Sequence, residues 1–192
     1  MKKIVLLVAT CLLICFVQAQ DTIVRGVRQS TFLESFQCKG KCDSIKIWNW
    51  WVNRSWDSIE YAFTKSGDTV NRGWPPNDGF IEINIDILRV GCKVDRYGGY
   101  LDSQYIFRDN GKFVSPKGAS YASRALLASD SAKKSYCVYE VKKAIPNVNK
   151  GKAIPWFKQE GQGMQFKLPA GIDSLLKTGH LKRIDSLSII KR

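Results

Sequence analysis

The residues best suited to chemistry are Gln165, Arg96 and Arg124. Gln165 lies in Gly161-Gln162-Gly163-Met164-Gln165-Phe166, shortly after Pro155-Trp156-Phe157. Two glycines one residue apart require either a positive φ or the close approach of another group. In a strand, Gln165 points away from both Met164 and Phe166, so one amide projects from the opposite face. Aromatic planes, bare backbone and a placed amide suit a flat, phosphate-bearing ligand. On this segment alone, a hairpin turn with a core tryptophan is the simpler reading. Arg96 follows Asp95 at the end of a short strand and precedes Tyr97-Gly98-Gly99. Arg124 sits among apolar neighbours in the run from Tyr121 to Leu127. An arginine so placed often pairs with a carboxylate, and its planar fork also fits two phosphate oxygens.

Other chemistries are poorly served. His180 is the one histidine, and no Gly-x-Ser-x-Gly elbow occurs, which argues against protease and esterase mechanisms. No cluster has metal-ligand spacing. Zinc on the cysteines is a weak reading with a single histidine in the chain. The formal charge is +13, spread along the chain without a polybasic block. Such a surface attracts polyanions and nucleotides, but a specific nucleic-acid groove is not indicated.

The elements that must position these residues follow from pattern. Residues 1–19 read as a secretory signal: Lys2 and Lys3, an apolar run from Ile4 to Val17, then Val17-Gln18-Ala19 as a small-residue cleavage site. The run is too short for a comfortable membrane span, so the expected product is secreted, extracellular or periplasmic. Cys38, Cys42, Cys92 and Cys137 then remain, and an even count in a secreted chain reads as two disulfides. Three connectivities are open, and Cys38–Cys42 with Cys92–Cys137 is the preferred one. Residues 20–73 form a tryptophan-rich segment, with Trp48, Trp50, Trp51 and Trp56 close together. A helix is expected there, capped by Ser55 or Asp57 and ended by Gly67. Ile81, Ile83, Ile85 and Ile87 alternate with polar residues, which predicts a strand with its isoleucine face buried. Further strands are expected at Val90–Asp95, Tyr105–Phe107, Tyr136–Lys142 and His180–Ile184. Pro146–Gly151 reads as a loop, and Asp173 as the cap of a short helix holding Leu175 and Leu176.

Taken together, the motifs resemble one family. Pro75-Pro76-Asn77-Asp78-Gly79-Phe80 is followed by Leu88, Gly91 and Asp95-Arg96-Tyr97-Gly98, then Tyr105, Arg124-Ala125-Leu126 and Tyr139-Glu140-Val141. Ile154-Pro155-Trp156-Phe157, Gly161-x-Gly163-x-Gln165-Phe166 and Leu176-x-x-Gly179-x-Leu181 complete the series. Each motif is weak alone; their order from Trp74 to Ile184 resembles the TNT domain, named for the tuberculosis necrotizing toxin and shared by fungal surface NADases. The resemblance implies an α+β fold around a small, strongly twisted antiparallel sheet. It places the catalytic domain at residues 74–192, behind a variable N-terminal subdomain.

The same resemblance implies hydrolysis of NAD, and of NADP, to nicotinamide and the ADP-ribose product. Gln165, Arg96 and Arg124 then take catalytic roles, while Tyr105, Trp156, Phe157, Phe166, Gly161 and Gly163 contact substrate. No cofactor is implied, because the dinucleotide is the substrate. No metal is implied either, since the calcium site of fungal relatives lies in a C-terminal extension and no acidic cluster stands there in this chain. Glu140 and Glu160 lie near the motifs, but the family pattern requires neither. Departures from the pattern are Lys158-Gln159-Glu160 after Trp-Phe, Gln162 within a triple glycine, and Phe166 in place of tyrosine. Two other readings stay open: ADP-ribosyl transfer to an acceptor, and a non-catalytic secreted nucleotide-binding module. An immunity protein accompanies some family members. The oligomeric state is open, with a dimer among the readings.

Overall fold

The computed structural model describes residues 21–35, 43–65, 73–130 and 134–184. The expected signal segment and the Cys38–Cys42 pairing lie outside the described residues. A small ladder joins β1 (Ile23–Val24) to β2 (Val27–Arg28). Three helices follow: α1 (Gln29–Ser35), α2 (Ser44–Val52) and α3 (Trp56–Lys65). Asp43 caps α2, its Oδ1 accepting from the N–H groups of Ile45 and Lys46 at 3.0 and 3.1 Å. Such a cap contributes about 1 kcal/mol. The helix turns Ile47, Trp48 and Trp51 inward. There, Phe32 meets Trp48, Trp51 and Trp156 at ring separations of 5.1, 5.6 and 6.4 Å. Trp51 is fully buried, and its Nε1–H donates to the carbonyl of Pro155 at 2.8 Å. The tryptophan-rich segment therefore shares one core with residues 153–156.

The remaining elements, in chain order, begin with β3 (Asn84–Leu88), β4 (Lys93–Tyr97), β5 (Tyr100–Leu101), β6 (Phe107–Arg108) and β7 (Phe113–Pro116). After them come β8 (Tyr136–Val141), β9 (Ile145–Lys152), β10 (Met164–Lys167), α4 (Ile172–Lys177) and β11 (Leu181–Arg183). Seven strands form one curled sheet in the order β11-β8-β4-β7-β10-β9-β3, every pairing antiparallel. β5 and β6 make a separate ladder. The fold is α+β, as expected. One sheet face packs Val94, Val114, Tyr139, Val141 and Phe166 against Leu168, Ile172 and Leu175 of the α4 region.

Several expectations are corrected. In β3 the isoleucine face is outward: Ile85 and Ile87 are 68% and 52% exposed, while Leu88 is buried. Leu88, opposite Ile145 in the core, fixes the parity of this edge strand, and residues of the other parity must face out. Residues 146–151 are not a loop but the middle of β9, because β3 and β10 pair with it on both sides. Pairing overrides local composition here. Tyr105 is not in a strand; it sits in a turn with φ 58°. Cys92 and Cys137 are not bonded to each other. Val141 N–H donates to Cys92 O at 2.9 Å and sets Cys92 beside Val141, whereas Cys137 pairs with Arg96, four residues further along. That separates them by about 13 Å, well beyond the ~7 Å limit of a disulfide. Cys92 is an exposed free thiol and Cys137 is fully buried.

Candidate active site

A cleft of about 190 Å³ opens between the Trp74–Gly79 turn, β7, β10 and the turn at Ala122–Arg124. Gln165, Arg96, Arg124 and Phe157 all line it, together with Trp74, Tyr97, Phe113, Ser115 and Lys134. Three of its charged lining groups are cationic, and its carboxylate, Asp78, is held by Lys167 at 2.6 Å. Two of the cations, Arg96 and Arg124, are backed by the buried carboxylates Asp109 and Asp95.

Gln165 sits on β10 opposite Gly151, and its alternation puts it on the face of Lys167 and Phe113. Its Nε2–H donates to the carbonyl of Gly79 at 2.7 Å. The same carbonyl accepts from the N–H of Ile154 at 2.9 Å. The amide is thereby oriented, and Oε1 meets no protein donor among the described residues. Gly79 has φ +80°, and Asp78 before it has φ 52°. The Pro75–Gly79 stretch, a turn cluster in the sequence, is thus the support that aims Gln165.

Arg96 occupies a slot. A Cβ on Gly98 would lie 2.2 Å from its Nη2, and one on Gly111 would lie 1.4 Å from its Nη1. Both glycines are bare because the guanidinium passes between them. Behind it, Asp109 Oδ1 is 3.2 Å from Nη1. The contact is electrostatic rather than a well-angled hydrogen bond, since Nη1 and Nε are buried and find no hydrogen-bond acceptor. Asp109, 1% exposed, also accepts from Gly111 N–H and Tyr139 O–H, both at 3.0 Å. Burial first, then the Asp109 charge, pushes the Tyr139 phenol far above its ordinary range, so it serves as a donor.

Arg124 is committed to structure. It pairs with fully buried Asp95 at 2.5 Å and donates twice to the carbonyl of Ala119, at 2.7 and 3.2 Å. Asp95 Oδ2 accepts from Gly118 N–H at 2.7 Å and Tyr136 O–H at 2.6 Å. The guanidinium lines the cleft with its donors already engaged. The Tyr136 phenol is pushed up to about 12, by burial first and then by Asp95.

Other expected contacts lie elsewhere. Trp156 is buried in the tryptophan core, its Nε1–H donating to Gly73 O at 2.9 Å. Phe166 faces the opposite, packed side of the sheet. Tyr105 is 85% exposed and outside the cleft lining. Gly161 and Gly163 are approached by protein rather than ligand: their N–H groups donate to Ala122 and Ser123 carbonyls at 3.1 and 2.9 Å. A Cβ on Gly163 would lie 2.6 Å from Ser123 O. They clamp the turn that carries Arg124. Glu140 is paired with Lys142 away from the cleft. Sequence reasoning missed Trp74, whose ring stands edge-on to Phe157 at 5.7 Å, and also Phe113, Tyr97 and Lys134. An exposed tryptophan beside Pro75-Pro76 was the available signal. Among the described residues, no group of three or more His, Cys, Asp or Glu is placed to hold a metal, and no helix is long and apolar enough to cross a membrane.

The family described as tuberculosis necrotizing toxin matches residues 87–184, just over half the chain, and that span holds Arg96, Arg124 and Gln165. The chain belongs to the tuberculosis necrotizing toxin family. Among characterised proteins, this toxin-family chain is 34% identical over 125 residues to the conidial surface nicotinamide adenine dinucleotide glycohydrolase of Aspergillus fumigatus. The match covers 58% of this chain and 49% of that protein, so the chain spans about half the length of that relative. Among solved structures, tuberculosis necrotizing toxin complexed with its immunity factor aligns at 20% identity and a TM-score of 0.44, over 57% of this chain and 60% of that one. Rhs1-CT in complex with its cognate immunity protein aligns at 22% identity and a TM-score of 0.37, over 62% and 86%.

Proposed function

We propose that the protein is an exported NAD glycohydrolase that also takes NADP, releasing nicotinamide, ADP-ribose (or its phosphorylated counterpart) and a proton by addition of water. The observation that carries the reading is the pairing of an oriented amide, Gln165, with the slotted guanidinium of Arg96 in one cationic, aromatic-walled cleft. The 34% identity to a named glycohydrolase supports it.

The cleft is smaller than the ~300–1,000 Å³ of whole-ligand sites, so it receives one end of the dinucleotide while the rest lies across the open surface. Nicotinamide leaves as a neutral molecule from a cationic linkage and needs no general acid. The demand is to stabilise an oxocarbenium-like ribose and to place one water. Gln165 Oε1 accepts a hydrogen bond from the ribose or from that water, its other end fixed on Gly79. Arg96 Nη2 meets the diphosphate and keeps the reacting carbon in register. Phe157, Trp74 and Phe113 shut water from the departing ring.

The test is chromatography of the products of NAD with the purified chain, beside Gln165→Ala. Equal yields of nicotinamide and ADP-ribose are expected, with the rate about 100- to 1,000-fold lower in the variant, the cost of one oriented catalytic hydrogen bond. Nicotinamide without matching ADP-ribose means transfer to an acceptor instead. No nicotinamide from folded protein overturns the reading.

A further inference from the structure

A second cavity, of about 420 Å³, lies on the other side of the Ile154–Gln162 segment, and its lining includes Arg25, Arg54, Trp56, Lys158, Gln159 and Gln162. The backbone there is unusual. Arg25, Arg54, Lys158 and Gln162 all hold left-handed φ, between 49° and 65°. Turn geometry sets three of them: Arg25-Gly26 is the two-residue turn between β1 and β2, Phe157-Lys158 the two-residue turn between bridged Trp156 and Gln159, and Arg54 the left-handed residue just past the end of α2. The loops are locked in place. Arg25 donates to the carbonyls of Trp51 and Val52, which end α2, and its guanidinium lies 3.9 Å over the Trp51 ring. Gln162 Nε2 donates to Arg25 O at 3.1 Å.

The charges are unbalanced. Lys158 is paired with Asp57 at 2.5 Å, and Glu160 is the one acidic residue of the lining. Arg54 has no carboxylate or other hydrogen-bond partner for its guanidinium among the described residues. Arg25, partly buried, has its pKa lowered first by desolvation and then by the Arg54 charge, so the two guanidinium groups sense one another. Two cationic forks side by side suit a phosphate, the indole of Trp56 suits a planar ring, and two glutamines supply amide donors and acceptors.

We infer that this cavity is a binding site for a nucleoside monophosphate, separate from the cleft of Gln165, with its phosphate on Arg54 and Arg25 and its base against Trp56. The two sites share a wall, since Ile154 and Phe157 face one and Pro155 and Lys158 face the other.

The test is calorimetric titration of adenosine monophosphate into the full chain, Arg54→Asn and Gln165→Ala. Asparagine tolerates the left-handed backbone, and Arg54 is exposed, so the fold is kept. The expected result is one-to-one binding that weakens about tenfold or more in Arg54→Asn and is unchanged in Gln165→Ala, the loss of one charge-assisted pair. Inorganic phosphate is expected to bind more weakly than the nucleotide. The inference is overturned by absent binding at millimolar nucleotide, by equal affinity in Arg54→Asn, or by loss in Gln165→Ala, which would put the nucleotide in the first cleft. Equal affinity for inorganic phosphate would overturn the base contact with Trp56. The readout is binding rather than turnover, so it is independent of nicotinamide release.

Discussion

Replacing Gly111 by alanine adds one methyl group at the back of the cleft and is expected to disarm Arg96 without touching it. The new Cβ would stand 1.4 Å from Nη1, 2.0 Å from Cζ and 2.2 Å from Nη2 of Arg96. No rotamer adjustment of tenths of an ångström relieves that overlap, so the guanidinium must leave the slot. The atoms displaced are the far end of a flexible side chain, and the backbone can stay. Asp109 loses its cation but keeps hydrogen bonds from Gly111 and Tyr139. The stability cost is therefore about 1–3 kcal/mol, that of one buried polar group left short of a partner. The functional cost is larger in ratio. A hydrogen bond to a charged group contributes about 1.5–3 kcal/mol, which converts to a fall of about 10- to 150-fold in kcat/KM. Steady-state nicotinamide release measures it, and circular dichroism shows that the variant is folded. The double variant Gly111→Ala with Arg96→Ala should be no slower than Arg96→Ala alone, because both changes remove the same contact. Unchanged kcat/KM in a folded Gly111→Ala protein, or additive losses in the double variant, would refute the slot as the reason for the bare glycine.

Other outcomes follow from the same geometry. Arg124→Ala leaves the Asp95 carboxylate buried and unpaired, and should lower unfolding free energy by about 3–5 kcal/mol in a denaturant titration; Arg124→Lys should not restore it, lacking the fork that reaches both Asp95 and Ala119. Tyr136, pushed up to about 12 from 10.0, keeps its proton in the native state above the pH at which the unfolded chain loses it. Its contribution is complete below pH about 10 and is lost as pH rises toward 12, so alkaline melting curves should show a falling Tm that Tyr136→Phe flattens. Trp51→Ala should cost about 3–5 kcal/mol, with its hydrogen bond to Pro155 lost as well, and calorimetry reads it as a lower Tm. A peptide map of unreduced protein should contain no Cys92–Cys137 cross-link; finding one would contradict the β4–β8 register.

What the sequence disclosed depended on how local the signal was. Helix α3 was legible from its apolar spacing, and β8 from its alternation. Gln165 was legible because a polar residue between Met164 and Phe166 must face the other way. The inverted isoleucines of β3 were not legible, because alternation gives two faces but not which one meets the core. That choice is made by Leu88 against Ile145, residues far apart in the chain. The glycine pair 161 and 163 correctly announced a close approach: Gly161 is crowded by Ala153 and Pro155 of the same hairpin, but Gly163 is crowded by Ser123, a partner no local pattern encodes. Trp156 illustrates the same limit: an aromatic side chain is equally suited to core and to cleft, and only its neighbours decide. Arg124 was read as either carboxylate partner or phosphate fork, and burial against Asp95 favours the first.

The bond from Trp51 to the carbonyl of Pro155 spans 104 residues. It links the first helices to the segment from which Ile154 and Phe157 reach the cleft. Closing so long a loop is entropically slow and comes late in folding. The Gln165 strand follows that segment, so no shorter portion of the chain can present a finished cleft. As the chain emerges from the ribosome, Ile154, Phe157 and Gln165 are the last lining residues of the cleft to appear. On the proposed function, an incomplete chain would lack the finished cleft that turnover needs.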